Sequence, residues 1–193
     1  MAITAAVSAL VHVTLGRRLL VWGGHPAITP MICVVAEDMK VDYGKWVRLY
    51  QSRYFQDEFP EDNARFQNVT YTDAVNDDRE KSLHAMRETM FSSHEFAAAV
   101  FIGGMGGILD EFEMFQRLQP KAAVVPVVST GGAALELATR IPALDPSLAN
   151  DLDYVAIFHR HLGISVREER FGRPEDQPAS VEDRMYRSPL NKA

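Results

Sequence analysis

Cysteine occurs once in this chain, basic residues are outnumbered by acidic ones, and no apolar run approaches a bilayer span. A lone Cys33 excludes an internal disulfide and a zinc knuckle. It sits in the run ITPMICVVA with no basic neighbour to stabilise a thiolate, so it reads as a core residue and the chain as suited to a reducing cytoplasm. With 20 Lys and Arg against 26 Asp and Glu, the net charge of −6 carries no basic footprint for nucleic acid. The stretch MAITAAVSALVHVTLGRR has no basic residue before its apolar part and is interrupted by His12, unlike a secretory signal. Nothing else reaches the ~20 apolar residues of a membrane helix. Neither nucleic acid nor a membrane is an expected partner.

What is present suits one soluble domain: 193 residues, 47% hydrophobic and 24% charged. Short apolar runs alternate with segments of helical period. RRLLVWGG (17–24), WVRLYQS (46–52), FQNVTYTDA (66–74), FAAAVFIGG and AAVVPVVSTGG read as strands. Between them, AITPMICVVAEDM reads as a helix, with Pro30 tolerated in its first turn. A second helix runs from a cap at Asp77 or Asp78 to about Ser92. ILDEFEMFQRLQ and AALELATRI are two more. Near-continuous apolar strands are those of a parallel sheet covered on both faces, so the expected fold is α/β, a Rossmann-like three-layer sandwich. Beyond Phe171 the chain turns polar, with Pro174, Pro178 and Pro189, which divides it into a domain over 1–171 and a mobile or partner-dependent tail over 172–193.

Three of the strands end in paired glycines: Gly23 and Gly24, Gly103 and Gly104, Gly131 and Gly132. In an open α/β sheet the carboxyl ends of the strands form the ligand crevice, and glycine lets main chain approach a ligand closely. The loop Gly103-Gly104-Met105-Gly106-Gly107 then reads as an anion cradle at a helix N-terminus. Ser129 and Thr130 are candidate donors to the same ligand, and His25 and Thr29 candidate ribose or phosphate contacts, with a turn role for His25 equally open. Tyr50, Arg53 and Tyr54 form an amphipathic edge that could serve as a stacking wall. His159 and His161 have the spacing of a metal pair on a strand, but without a third ligand they read as surface or packing residues, and no metal site is expected.

Two charges lie on the wrong side of their helices. At about 100° per residue, Phe112 and Phe115 fall within about 40° of Ile108, whereas Asp110, Glu113 and Arg117 fall about 140–180° away. Glu111 lies only about 60° from Ile108, beside the buried face. Arg87 falls about 40° from Leu83, on the face that also carries Met86 and Met90. A carboxylate so placed needs a partner or access to a cleft; an Arg87–Glu111 ion pair, or an arginine whose head reaches water, is the structural explanation.

The segment AMRETMFSSHEFAAAVFIGGMGGILDE resembles the one that defines the LONELY GUY (LOG) phosphoribohydrolases, once classed as lysine decarboxylases. Those enzymes carry a Met-x-x-Arg-Lys helix, an apolar strand, and Pro-Gly-Gly-x-Gly-Thr-x-x-Glu opening the next helix. With LVWGGHPAITP and VVSTGGAA, the chain resembles a bacterial branch of the wider SLOG superfamily over roughly residues 5–165. Its departures are Glu88 in place of the lysine, Ile102 in place of the proline, one extra loop residue and no equivalent of the threonine. Aligning Gly107 with the last motif glycine makes Glu111 the motif acid; aligning Gly106 makes it Asp110, which points outward, so Glu111 is preferred. SLOG domains also open with a strand ahead of their first helix. Here residues 3–15 resemble that helix through Ile3, Val7, Leu10 and Val11, although LVHVTL alternates enough for a strand; the opening strand has no counterpart, which leaves a gap near the middle of the sheet.

The resemblance implies binding of a nucleotide-derived small molecule, with no cofactor, in a homodimer. Sensing of such a ligand in a bacterial stress or defence system is the leading expectation. The alternative is LOG-like hydrolysis of the N-glycosidic bond of a nucleoside monophosphate, with Glu111 and Arg87 catalytic and the glycine loop on the phosphate. A non-catalytic interaction scaffold stands third.

Overall fold

A computed structural model describes residues 2–187. It is a three-layer α/β sandwich of Rossmann-like type. The chain runs α1 (Ala2–Thr14), β1 (Leu20–Trp22), α2 (Thr29–Glu37), a single turn α3 (Tyr43–Trp46), β2 (Val47–Ser52), β3 (Asn68–Thr72), α4 (Arg79–Ser92), β4 (Ala98–Ile102), α5 (Gly107–Leu118), β5 (Ala123–Val127), α6 (Gly132–Ala138), α7 (Pro146–Asn150) and α8 (Tyr154–His161). All pairings between strands are parallel, but they fall into two sheets, β1-β2-β3 and β4-β5.

Side-chain alternation along each strand selects its helix layer. Leu20 and Trp22 pack with α1 and α2, whereas Val21 packs beneath α4 and α5. On β4, Val100 and Ile102 join the cluster of α1 and α8, while Ala99 and Phe101 join α5 and α6. The layers are therefore α1, α2 and α8 on one side and α4, α5 and α6 on the other.

The ambiguous N-terminal segment is helical. Its alanines favour helix, and Ala6, Val7, Ala9, Val11, Val13 and Thr14 are all buried, because α1 is enclosed by α2, α8 and both sheets. Arginines serve its last carbonyls: Arg170 donates to the oxygens of Leu15 and His12, and Arg17 Nη1 donates to Val13 O at 3.1 Å. Asp78 caps α4, accepting the Lys81 N–H at 3.0 Å.

The segment after Phe171 lies against the body as far as it is described. Gln177 Nε2 donates to Arg17 O at 2.9 Å, Trp46 Nε1 to Phe171 O at 3.1 Å, and Lys45 pairs with Glu175 at 2.7 Å. Met185 bridges to Glu168. The remainder of the expected tail, 188–193, lies outside the described residues. The stretch IFHRHLG is a helix end rather than a strand: His159 Nδ1 meets Ile164 O at 2.7 Å and His161 Nε2 meets Ser147 Oγ at 2.9 Å, so both histidines are engaged in packing the end of α8. Among the described residues no helix is long and apolar enough to cross a membrane, and no cluster of His, Cys, Asp and Glu could hold a metal ion.

Candidate functional site

The glycine exits of β1, β4 and β5 converge. A β-carbon on Gly23 would lie 3.7 Å from Met86 Cε, and one on Gly107 3.2 Å from Arg87 Nη2, so the end of β1 and the loop after β4 meet over one turn of α4. The exits of β4 and β5 are laced together directly. Gly103 N donates to Thr130 Oγ1 at 2.7 Å, and the N–H groups of Ala133 and Ala134 donate to the carbonyls of Gly104 and Gly103, each at 3.0 Å.

Two glycines in this region are bare for opposite reasons. Gly132 has φ +58°, and a β-carbon there would strike the Gly104 carbonyl oxygen, so its bareness lets the start of α6 dock on the loop. Gly106 has φ −50° and nothing within 4 Å of a would-be β-carbon, so packing does not require it. Gly132→Ala is accordingly expected to cost about 2–3 kcal/mol, and Gly106→Ala at most about 1 kcal/mol. Urea unfolding of the two variants checks the contrast.

Gly104, Met105 and Gly106 are exposed and Gly107 half-buried; Met105, at the tip, is 84% exposed. Among the described residues no acceptor takes the N–H of Gly104, Met105, Gly106 or Gly107; the helical ladder opens with Ile108 N to Met105 O and Leu109 N to Gly106 O, both 3.0 Å. Free amides at the head of a 12-residue helix gather positive potential.

Beside them stands the ion pair. Arg87 Nη2 lies 2.8 Å from Glu111 Oε1, with side-chain exposures of 13% and 28%. The arginine comes from the buried face of α4, next to Met86, and the glutamate from the first turns of α5. Burial pushes the Glu111 carboxyl above its ordinary value; the Arg87 charge and hydrogen bond oppose that rise, and Asp110 adds to it. Arg87 Nε is buried with no acceptor among the described residues, an unusual deficit for so strong a donor. Its side chain also lines a concavity of about 470 Å³ between α4 and α5, shared with His84, Glu80 and Asp110. Asp110 itself is exposed, as its position on the helix implies.

Other candidate residues are already engaged. Thr29 is fully buried, and its hydroxyl donates to His25 O at 3.0 Å and accepts from Trp22 Nε1 at 3.2 Å, so it closes the turn. Thr130 gives its proton to Val127 O at 2.5 Å while accepting from Gly103, and so braces the loop instead of donating to a guest. Ser129 Oγ is 3.0 Å from the Tyr154 hydroxyl. His25 is exposed, and its Nδ1 accepts the Ala27 N–H at 3.2 Å, a turn role that leaves Nε2 at the surface. Gly131, at φ +71°, turns the chain into α6. Tyr50 is buried under α4, away from any wall, whereas Arg53 stacks over Tyr71 at 5.2 Å and Tyr54 meets Phe55 edge-on.

One residue escaped sequence reading. Gln51, 5% exposed at the end of β2, donates from Nε2 to Gly24 O at 3.0 Å and holds the β1 exit in place. Its only sequence signal is a polar side chain close to the carboxyl end of a strand.

Parallel strands with helices on both faces, whose carboxyl ends carry bare loops and a charged pair, define a Rossmann-like ligand-binding domain. Comparison with known families makes the assignment specific: the model of the SLOG cluster3 family matches residues 1–162, and the chain belongs to that family. Comparison with curated proteins and with solved structures returned no match.

Proposed function

We propose that the domain binds a nucleotide-derived ligand by its phosphate, as a sensor in a bacterial stress or defence system. The observation that carries this reading is the run of four N–H groups from Gly104 to Gly107 that find no acceptor among the described residues, set beside the largely buried Arg87 guanidinium, whose Nε finds none there either. A phosphate over the loop would accept the free amides. Membership of the SLOG cluster3 family supports a ligand of nucleotide type. The reading places the protein in the cytoplasm, where the lone buried Cys33 stays reduced, and, by its likeness to LOG enzymes, in a homodimer.

A thermal-shift screen with nucleoside monophosphates, adenosine diphosphate ribose and cyclic nucleotides tests it. Ligand at a hundred times its Kd should stabilise the folded state by about 2.7 kcal/mol. Gly106→Ala is expected to abolish that shift while leaving the unliganded melting temperature nearly unchanged. A screen without any shift sinks the sensing reading.

The hydrolytic alternative draws support from Glu111, whose raised carboxyl pKa moves it toward the range useful for proton transfer. In that reading Glu111 activates water or steadies positive charge on the ribose, and Arg87 positions the phosphate. Release of ribose 5-phosphate from a nucleoside monophosphate decides between the two. Saturable binding without release supports the sensor; neither binding nor release leaves the interaction scaffold.

A further inference from the structure

The two ends of α1 have different surroundings. Ile3, in its first turn, lies against the glycine rim, with Cδ1 2.7 Å from a would-be β-carbon on Gly103. At about 1.5 Å per residue, His12 sits roughly 14 Å farther along the axis, at the pole away from the strand exits. A concavity of about 430 Å³ opens there, lined by His12, by Asp38, Met39, Lys40 and Val41 of the loop after α2, and by Arg170. Its back is fixed. Gly16, at φ +79°, has a would-be β-carbon 3.1 Å from both Arg170 Cβ and Val41 Cγ1, so bare main chain lets the two walls meet. Phe171 N donates to Gly16 O at 2.9 Å and Asp42 N to Gly172 O at 2.8 Å, which ties the same walls together.

Positive charge collects around this concavity. Arg18, Arg65, Arg87 and Arg140 each meet a carboxylate. Arg17 and Arg170 do not: among the described residues neither has one within salt-bridge distance, and both donate instead to main-chain carbonyls, Arg17 to those of Val13 and Glu168, Arg170 to those of Leu15 and His12. Such bonds satisfy donors but leave the charges standing, since a helix end carries only about half a negative charge against two full positive ones. The buried acid nearby, Glu168, is held by Arg18 and Arg184. Lys40 adds a further cation at the exposed lip, where Asp38 is the only acid among the described lining residues. The crowding registers on the groups themselves. Burial and then the Arg17 charge push Arg170 down to about 10, and burial, Arg170, Arg17 and His159 hold the His12 imidazole below its ordinary value.

We propose that this concavity is an anion site distinct from the glycine loop, which takes a phosphoryl dianion, as free phosphate or as the phosphate of a small phosphomonoester, between Arg170, Lys40 and His12. A guanidinium has five N–H donors, and the two carbonyls take two of those on Arg170. A doubly charged guest gains about twice the attraction of a carboxylate at equal distance, which suits several cations facing one acid. Met39 and Val41 supply an apolar wall for an organic remainder. Neither the glycine loop nor Arg87 takes part, so the inference stands apart from the ligand reading.

The test titrates inorganic phosphate into the full chain at constant ionic strength, with chloride as control, and follows the ring resonances of His12, assigned by their loss in His12→Gln. Phosphate should shift them saturably at millimolar concentration and raise the His12 pKa, because a nearby anion favours the imidazolium. Gly106→Ala should leave the response intact. Lys40→Met should weaken it by about fivefold, with the melting temperature nearly unchanged because Lys40 is exposed. Glycerol 3-phosphate distinguishes the sources: saturation at lower concentration than phosphate assigns a phosphomonoester, and saturation at equal or higher concentration assigns the free ion. No saturation by either anion up to about 50 mM would overturn the proposal. So would an equal response to chloride, a response lost in Gly106→Ala, or one that Lys40→Met leaves unchanged.

Discussion

Glu168→Ala should lower stability by about 3–5 kcal/mol. The Glu168 side chain is fully enclosed, and its two oxygens receive both Nη groups of Arg18, the Nη2 bond being 3.0 Å, while Arg184 Nη1 lies 3.7 Å away. Alanine would leave two largely covered guanidinium groups facing each other without an acid between them. Arg18 is 28% exposed and can turn part of its charge to water, which puts the expectation at the lower end of that range. For a domain of this size, about 3 kcal/mol corresponds to a fall in melting temperature of about 6–12 °C. A thermal melt measures it. A loss of less than about 1 kcal/mol would mean that the pair contributes no more than an exposed one. Glu168, Arg184 and Arg170 all lie beyond residues 1–162 matched by the family model, and through Arg170 the segment after α8 fastens the end of α1.

Glu111→Gln should separate function from stability. Folding raises the Glu111 carboxyl above its ordinary value, chiefly through burial. The folded state thus holds the proton more firmly than the unfolded chain does. The resulting stabilisation is complete below the unfolded value and is lost as pH rises through the higher folded value, so at neutral pH the ionised carboxylate is a net burden. An amide at this position cannot ionise. The variant is therefore expected to melt higher than the parent at pH 7, with the difference shrinking toward pH 4. Function should move the other way: if the domain hydrolyses its ligand, removal of the acid lowers kcat by about 10²–10⁴, whereas a sensor loses affinity alone. Lower stability of Glu111→Gln at pH 7 would show that the carboxylate serves a structural role through Arg87, and would weaken the functional reading of the pair.

Much of the molecule follows from local pattern. Short apolar runs and period-3.6 hydrophobicity locate the five strands among the described residues and α2, α4, α5 and α6, because each element must bury apolar surface whatever its neighbours are. The inward turn of Glu111 and Arg87 is legible for the same reason: helical phase alone sets them beside the buried faces that the structure brings within 2.8 Å. Phase is a property of the chain.

The partners of hydrogen-bonding groups are not. Thr29, Ser129 and Thr130 look like ligand donors beside glycine-rich loops, but which proton each hydroxyl gives away depends on carbonyls and side chains that the fold delivers from elsewhere. The same holds for Glu168, an ordinary acid in a charged stretch until Arg18 and Arg184 close on it. By itself the sequence determined the layers, the phase of each helix and the bare loop at the head of α5, since these arise from spacing along one strand or helix. The tertiary structure alone decided which polar groups are already satisfied and which donors stay open, because each depends on atoms far apart in the chain meeting at one point.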